Sequence, residues 1–195
     1  MSDLFLFFDT ETTGIPRNYN APVSDLENWP RLVQIGWVIY DKDENLMEEA
    51  EYIIKPDGFS IPESVSYVHG ITTEIAERDG IPLDDVLVKF SQSLSYVDTV
   101  IGHNLSFDDN IVGAEFLRCS IPNPLDMKQK ICTMKSSTGY CKIPGPRGDK
   151  WPRLHELFFV LFHQEMGAAH TALMDIKNTA KCYFELRRIG IFGNS

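Results

Sequence analysis

The stretch "LFLFFDTETTG", residues 4–14, constrains this chain more than any other part of it. Residues 3–8 read as a β-strand in which Phe5 and Phe7 point to one face while Leu4, Leu6 and Phe8 point to the other. Apolar side chains on both faces specify a strand covered on both sides, the central strand of an α/β sheet. That strand runs directly into Asp9 and Glu11. Side chains alternate along a strand, so the two acids share the face of Phe5 and Phe7 if the extended backbone persists that far. Like charges this close oppose each other's ionisation, and the pair needs a positive partner. An isolated D-x-E is also ordinary where a strand runs out into solvent, and alone it decides nothing.

The rest of the chain fits the same class. Its 195 residues, 43% of them hydrophobic, suffice for one domain with a sizeable core and are too few for two, so a single domain over 1–195 is expected. Residues 14–30, with three prolines, read as a loop. "RLVQIGWVIY" (31–40) and "EEAEYIIK" (48–55), joined by the turn "DKDEN", read as two strands of a meander. A short helical piece is expected near 62–68, then a Thr-capped turn in "HGITTEIAERDG" and a helix in "PLDDVLVKFSQSLSYV". "TVIGHN" is a fourth strand, followed by a helix starting near Ser106. "ICTM" is a fifth strand, 142–152 a Pro/Gly loop, and "LHELFFVLF" and "TALMDIKNTAKCYFELRR" are closing helices. The order βββαβαβα predicts a mixed five-stranded sheet flanked by helices.

Charge bears on the partner. The formal net charge is −10, which disfavours non-specific nucleic-acid binding. However, the window from Lys128 to Arg153 holds seven basic residues and one acid, so it carries +6 and leaves −16 elsewhere. Such a segment either holds a polyanion locally or is a solvated loop, and charge does not separate the two. The N-terminus has no basic leader, and no stretch approaches the roughly 18 apolar residues of a membrane span. Four scattered cysteines without a CxxC pair read as reduced thiols with no zinc, and a cytoplasmic location is expected.

Further acids complete the picture. Asp108 and Asp109 fall in the first turn of a predicted helix, where negative charge also complements the helix dipole. Asp175 is harder to excuse. At about 100° per residue it shares a side of the last helix with Ala172, Thr179, Cys182, Tyr183 and Leu186, away from Lys177, Asn178, Lys181 and Glu185. An acid on an apolar side requires a partner, and a metal ion would supply it. His103 and His170 each precede an acid by five residues. Either suits a base beside carboxylates, and spacing does not rank them. His155 and His163 read as packing or surface residues.

"FFDTETTG", "GHNLSFDDN" and "HTALMDIKNTA" together resemble the three exonuclease motifs of the DEDDh subgroup of DnaQ-like 3′-to-5′ exonucleases, which have a ribonuclease H-like fold. They occur in the family's order across nearly the whole chain, and the "DTETTG" form is similar to polymerase III epsilon-type proofreading exonucleases and their stand-alone relatives. The resemblance implies that Asp9, Glu11, Asp108 and Asp175 hold two Mg²⁺ or Mn²⁺ ions and that His170 is the catalytic base. His103 then falls on the "HN" preceding the second-motif acid, as a supporting residue, and with Asn104 it is counted among the substrate-binding positions that the resemblance implies. Asp109 has no counterpart. The backbone at Thr12, Thr13 and Gly14, and His69 in "YVHGIT", correspond to substrate-contacting segments. Phe107 either stacks on a terminal base or packs in the core.

The implied activity is removal of nucleoside 5′-monophosphates from the 3′ end of single-stranded nucleic acid, DNA before RNA. An inactive exonuclease-fold module and a ribonuclease H-like endonuclease are the alternatives. A DNA polymerase is a candidate partner, although the short "GIFGNS" after the last helix favours a stand-alone enzyme.

Overall fold

In the computed structural model, residues 4–167 and 172–192 are described. β1 (Leu4–Thr12), β2 (Leu32–Asp41), β3 (Leu46–Ile53), β4 (Thr99–Gly102) and β5 (Gln129–Cys132) form one sheet in the order β3-β2-β1-β4-β5. β1 is central, as its two apolar faces require. It pairs antiparallel with β2 and parallel with β4, and β4 pairs parallel with β5. The sheet is therefore mixed, with the carboxyl ends of β1, β4 and β5 emerging together.

Helices cover both faces. α3 (Leu83–Leu94) and α4 (Leu105–Arg118) pack on the face of Leu6 and Phe8, where Val86, Phe90, Val112 and Phe116 join Trp37 in the largest core cluster. α7 (Ala172–Arg188) packs on the face of Phe7 and Val38 through Ile176, Ala180, Tyr183 and Phe184. A smaller cluster around Val33, Ile61, Ile71 and Ala76 seats α1 (Glu63–His69) and α2 (Thr73–Asp79). As expected, Thr72 caps α2, its hydroxyl accepting from the Ile75 amide.

Several expectations need correction. β1 continues four residues beyond 8, because pairing with β2 holds the backbone extended as far as Thr12. A helix the sequence reading did not foresee, α5 (Thr133–Cys141), follows β5 directly, so Thr133 and Met134 leave the expected strand. Inside the expected loop 142–152, β6 (Pro144–Gly145) and β7 (Gly148–Asp149) make a small ribbon leading into α6 (Leu154–Phe162). Asn178, assigned to the polar side of the last helix, is buried. The reason is that α7 is covered twice: by the sheet through Ile176, Ala180 and Phe184, and by α6 through Cys182 and Leu186.

Candidate active site

Asp9 and Glu11 lie on the extended part of β1, on the face that α7 covers. Their register partners across the antiparallel pair are Gly36 and Gln34. Glycine at 36 lets α7 come close: a Cβ there would stand 2.8 Å from Ile176 Cδ1. Ile176 is the neighbour of Asp175, so this close approach brings the Asp175 turn over the β1 acids.

Asp108 arrives from the other layer, in the first turn of α4, and is only 3% exposed. It is anchored by Thr10, whose amide and hydroxyl donate to Asp108 Oδ1 at 3.1 and 2.7 Å. Thr10 points away from Asp9 and Glu11 on the same strand. Strand alternation was available as a signal for it, but only after Asp108 had been placed.

The electrostatics bind the four acids into one site. Burial first, then the charges of Asp108, Glu11 and Asp175, push the Asp9 carboxyl well above the usual carboxylate range. Burial and Asp175 raise Glu11 to about 7. Burial also raises Asp108 to about 7, against the Thr10 hydrogen bonds and with a further push from Glu11. Carboxylates this far apart in sequence that still repel one another lie in the same small region of space. Among the described residues no ion pair reaches Asp9, Glu11 or Asp108.

Such a set of hard oxygen donors, desolvated and mutually repulsive, fits a divalent cation. Among the described residues, no three His, Cys, Asp or Glu side chains form a finished metal cage. The fit therefore rests on the donor chemistry and on the mutual repulsion.

The histidines separate clearly. His103 Nε2 lies 3.0 Å from the Pro152 carbonyl, which can only accept, so that nitrogen carries the proton. Burial depresses the ring to about 4, so it is neutral, and Nδ1 stands 3.0 Å from the Thr133 hydroxyl, which also reaches the Gly102 carbonyl at 3.2 Å. Both nitrogens are thus engaged within the protein. His69, at the end of α1, accepts from the Ile71 amide through Nδ1. Its Nε2 is buried beside the Thr12 backbone without hydrogen-bond geometry, and burial lowers its pKa. His170 lies outside the described residues.

The turn after β1 is self-contained. The Thr12 hydroxyl donates to the Gly14 carbonyl at 2.6 Å, and Thr13 exchanges bonds with Arg31 through its amide and hydroxyl. Gly14 has φ 155° and open space where a Cβ would stand, leaving its backbone approachable. Asn104 begins α4 in the left-handed region (φ 70°), and Phe107 packs partly against the core beside Asp108. Asp109 pairs with Lys130.

A buried polar hub went unread in the sequence. Glu115, fully buried, accepts from Leu32 N and Arg31 Nε and pairs with Arg118. Arg118 in turn donates to the Leu26 and Trp29 carbonyls. These contacts fix the 14–31 loop beside the site. In the basic window, Lys128 bonds the Val97 carbonyl, Lys130 pairs with Asp109 and Lys150 with Glu156, so part of its charge ties the segment down.

A profile of the exonuclease (RNase_T) family matches residues 6–183. No curated protein sequence matches the chain. Among solved structures, E. coli Exonuclease I in complex with a dA16 oligonucleotide is similar at a TM-score of 0.74 and 20% identity, over 95% of this chain and 41% of that one. Exonuclease I from Methylocaldum szegediense gives 0.73 and 20%, over 95% and 40%. An ExoI/SSB-Ct complex gives 0.73 and 20%, over 96% and 42%. The chain spans about two fifths of the length of these proteins, and at this identity the likeness carries the fold. The family profile does more, because it covers most of the chain, and the chain belongs to the exonuclease family, the DnaQ-like 3′-to-5′ exonucleases of ribonuclease H-like fold.

Proposed function

We propose that the chain is a single metal-dependent exonuclease domain, cytoplasmic, that releases nucleoside 5′-monophosphates from the 3′ end of single-stranded DNA. The observation that carries this reading is the convergence of four carboxylates from β1, α4 and α7 into one desolvated, mutually repulsive set. Single-stranded DNA is favoured because E. coli Exonuclease I, similar in fold, is seen with dA16 and dT13 oligonucleotides.

Asp9, Glu11, Asp108 and Asp175 would hold Mg²⁺ or Mn²⁺, and four carboxylates suffice for two ions. Bound there, the cations would supply Lewis-acid activation of water and of the scissile phosphate and would neutralise the departing 3′ oxygen. The protein's own groups do the rest. β1 and α4 hold Asp9, Glu11 and Asp108 rigidly through strand pairing and the Thr10 clamp. Gly14 admits the terminal nucleotide to the backbone. His170, by its place in the third motif, takes the proton of the attacking water, while neutral His103, with both nitrogens engaged, does not compete for it. With Mg²⁺ or Mn²⁺ held by these carboxylates, the scissile phosphate would meet positive charge here, so an acidic body would not prevent binding.

The test is digestion of 5′-labelled single-stranded DNA and RNA with Mg²⁺ or Mn²⁺. A ladder descending one nucleotide at a time is expected on DNA, absent with chelator and absent in Asp175→Asn. His170→Ala should cut the rate by about 10²–10⁴ while sparing metal affinity. An intact rate in that variant removes the base assignment, and internal cleavage products would replace the exonuclease reading with an endonuclease.

A further inference from the structure

A groove of about 570 Å³ opens beside the first turn of α4, the turn that bears Asp108. Its lining includes Tyr19, Trp29, Asn104, Phe107, Lys135 and Trp151. Trp29 is a buried floor, its indole donating to the Pro22 carbonyl. Tyr19 and Trp151, by contrast, are 56% and 59% exposed. Large aromatic rings left in water at the mouth of a cleft are unusual unless something covers them. Lys135 stands 6.0 Å from the centre of the Trp151 ring, so a cation and an aromatic face are offered together.

His103 explains how these parts keep their spacing. Its Nδ1 holds Thr133, which starts α5 immediately before Met134 and Lys135, and its Nε2 holds Pro152, immediately after Trp151. One buried, neutral ring thereby ties the Lys135 wall and the Trp151 wall to the end of β4, next to the acids. The facing wall, which carries Tyr19, belongs to the loop stitched down by Arg118 and by the Asn18–Asn28 bonds.

We propose that this groove is the track for the nucleotides on the 5′ side of the scissile bond, with a base stacked on Trp151 and Lys135 against its phosphate. Aromatic platforms next to a cation hold single strands without reading sequence, because every base offers a π-face. The volume falls within the range of small-ligand pockets, enough for a short stretch of strand rather than a duplex. The assignment rests on the exonuclease reading for its direction along the strand, but it commits residues which that reading leaves unused.

The experiment is fluorescence anisotropy of 5′-fluorescein-labelled dT10 with the full chain in chelator at low salt, so that binding is read without turnover. Trp151→Ala should weaken binding about tenfold, and Trp151→Phe should restore most of it. Lys135→Ala should lower the slope of log affinity against log salt by about 0.7. Met127→Ala, 88% exposed and outside the groove, should bind as wild type does. Trp151→Ala binding within twofold of wild type overturns the proposal, as does undetectable binding by wild type. If the Trp151 and Lys135 effects appear but wild type releases no mononucleotide with Mg²⁺, the groove stands and the exonuclease reading falls.

Discussion

At the scale of single residues, the site is built against the stability of the fold. Asp108 is almost fully buried and is pushed to about 7, yet its Oδ1 accepts from both Thr10 N and Thr10 Oγ1. Asparagine keeps that acceptor oxygen and removes the charge. Asp108→Asn should therefore raise the stability of the chelated protein at pH 8 by up to about 4 kcal/mol, the carboxyl rising from 3.8 to about 7 and each tenfold in proton affinity being about 1.4 kcal/mol, while abolishing nuclease activity. Urea unfolding in chelator beside the ladder assay reads both. A variant no more stable than wild type would mean that Asp108 is not under electrostatic strain. The candidate acids were singled out by the three motifs taken together, because Asp9 and Glu11 at a strand end and Asp108 at a helix start each had an ordinary explanation, and only Asp175, on an apolar helix side, did not. Thr10, Glu115 and Trp151 were not, since a threonine on a strand, a glutamate in a helix and a tryptophan in a loop each have commoner explanations than the contacts they make.

At the scale of elements, periodicity identified the strands and the long helices, and it failed where tertiary contacts override it. α5, "TMKSSTGYC", is polar and poor in helix formers, and it is held as a helix by the strand before it and by α6 and α7. α7 reads as one-sided by its charges, but it is gripped by both the sheet and α6, which is why Asn178 is buried. That packing leaves no room for a side chain at Gly36, opposite Asp9 in the ladder. Gly36→Val would drive a branched side chain into Ile176, itself 1% exposed and without room to retreat. Overpacking of this kind costs about 1–3 kcal/mol. It should also displace the Asp175 turn, so Mn²⁺ affinity by calorimetry should fall along with the denaturation midpoint. A lowered midpoint with unchanged Mn²⁺ affinity would show that α7 tilts without carrying the acid away.

At the scale of the whole molecule, the conflict among the acids becomes a dependence of stability on pH and metal. A chain of formal charge −10 gathers four carboxylates at the carboxyl ends of its central strands, and among the described residues no ion pair from the basic segment 128–153 reaches Asp9, Glu11 or Asp108. The sequence pattern located this end of the sheet through the acids of its first strand, but it did not foretell how strongly burial would act on them. Glu11 and Asp108 have folded pKa values of about 7 against ordinary values of 4.5 and 3.8, and Asp9 is raised as well. The folded state therefore binds these protons more tightly than the unfolded chain does. Their contribution to stability is fully present below about pH 4 and is lost as pH rises through about 7. A divalent cation reverses the trend, because it binds only the ionised set and only when the four acids are assembled. In chelator, the melting temperature should fall between pH 5 and pH 8, most steeply between about pH 5 and 6.5 and levelling off above about 7. With Mg²⁺ the fall should be offset, and the gain over chelator should be several-fold larger at pH 8 than at pH 5. Thermal melts at matched ionic strength with Mg²⁺, and with K⁺ as a control for screening, decide it. Equal Mg²⁺ gains at the two pH values, or an equal effect of K⁺, would mean that surface charge rather than this cluster takes up the ion.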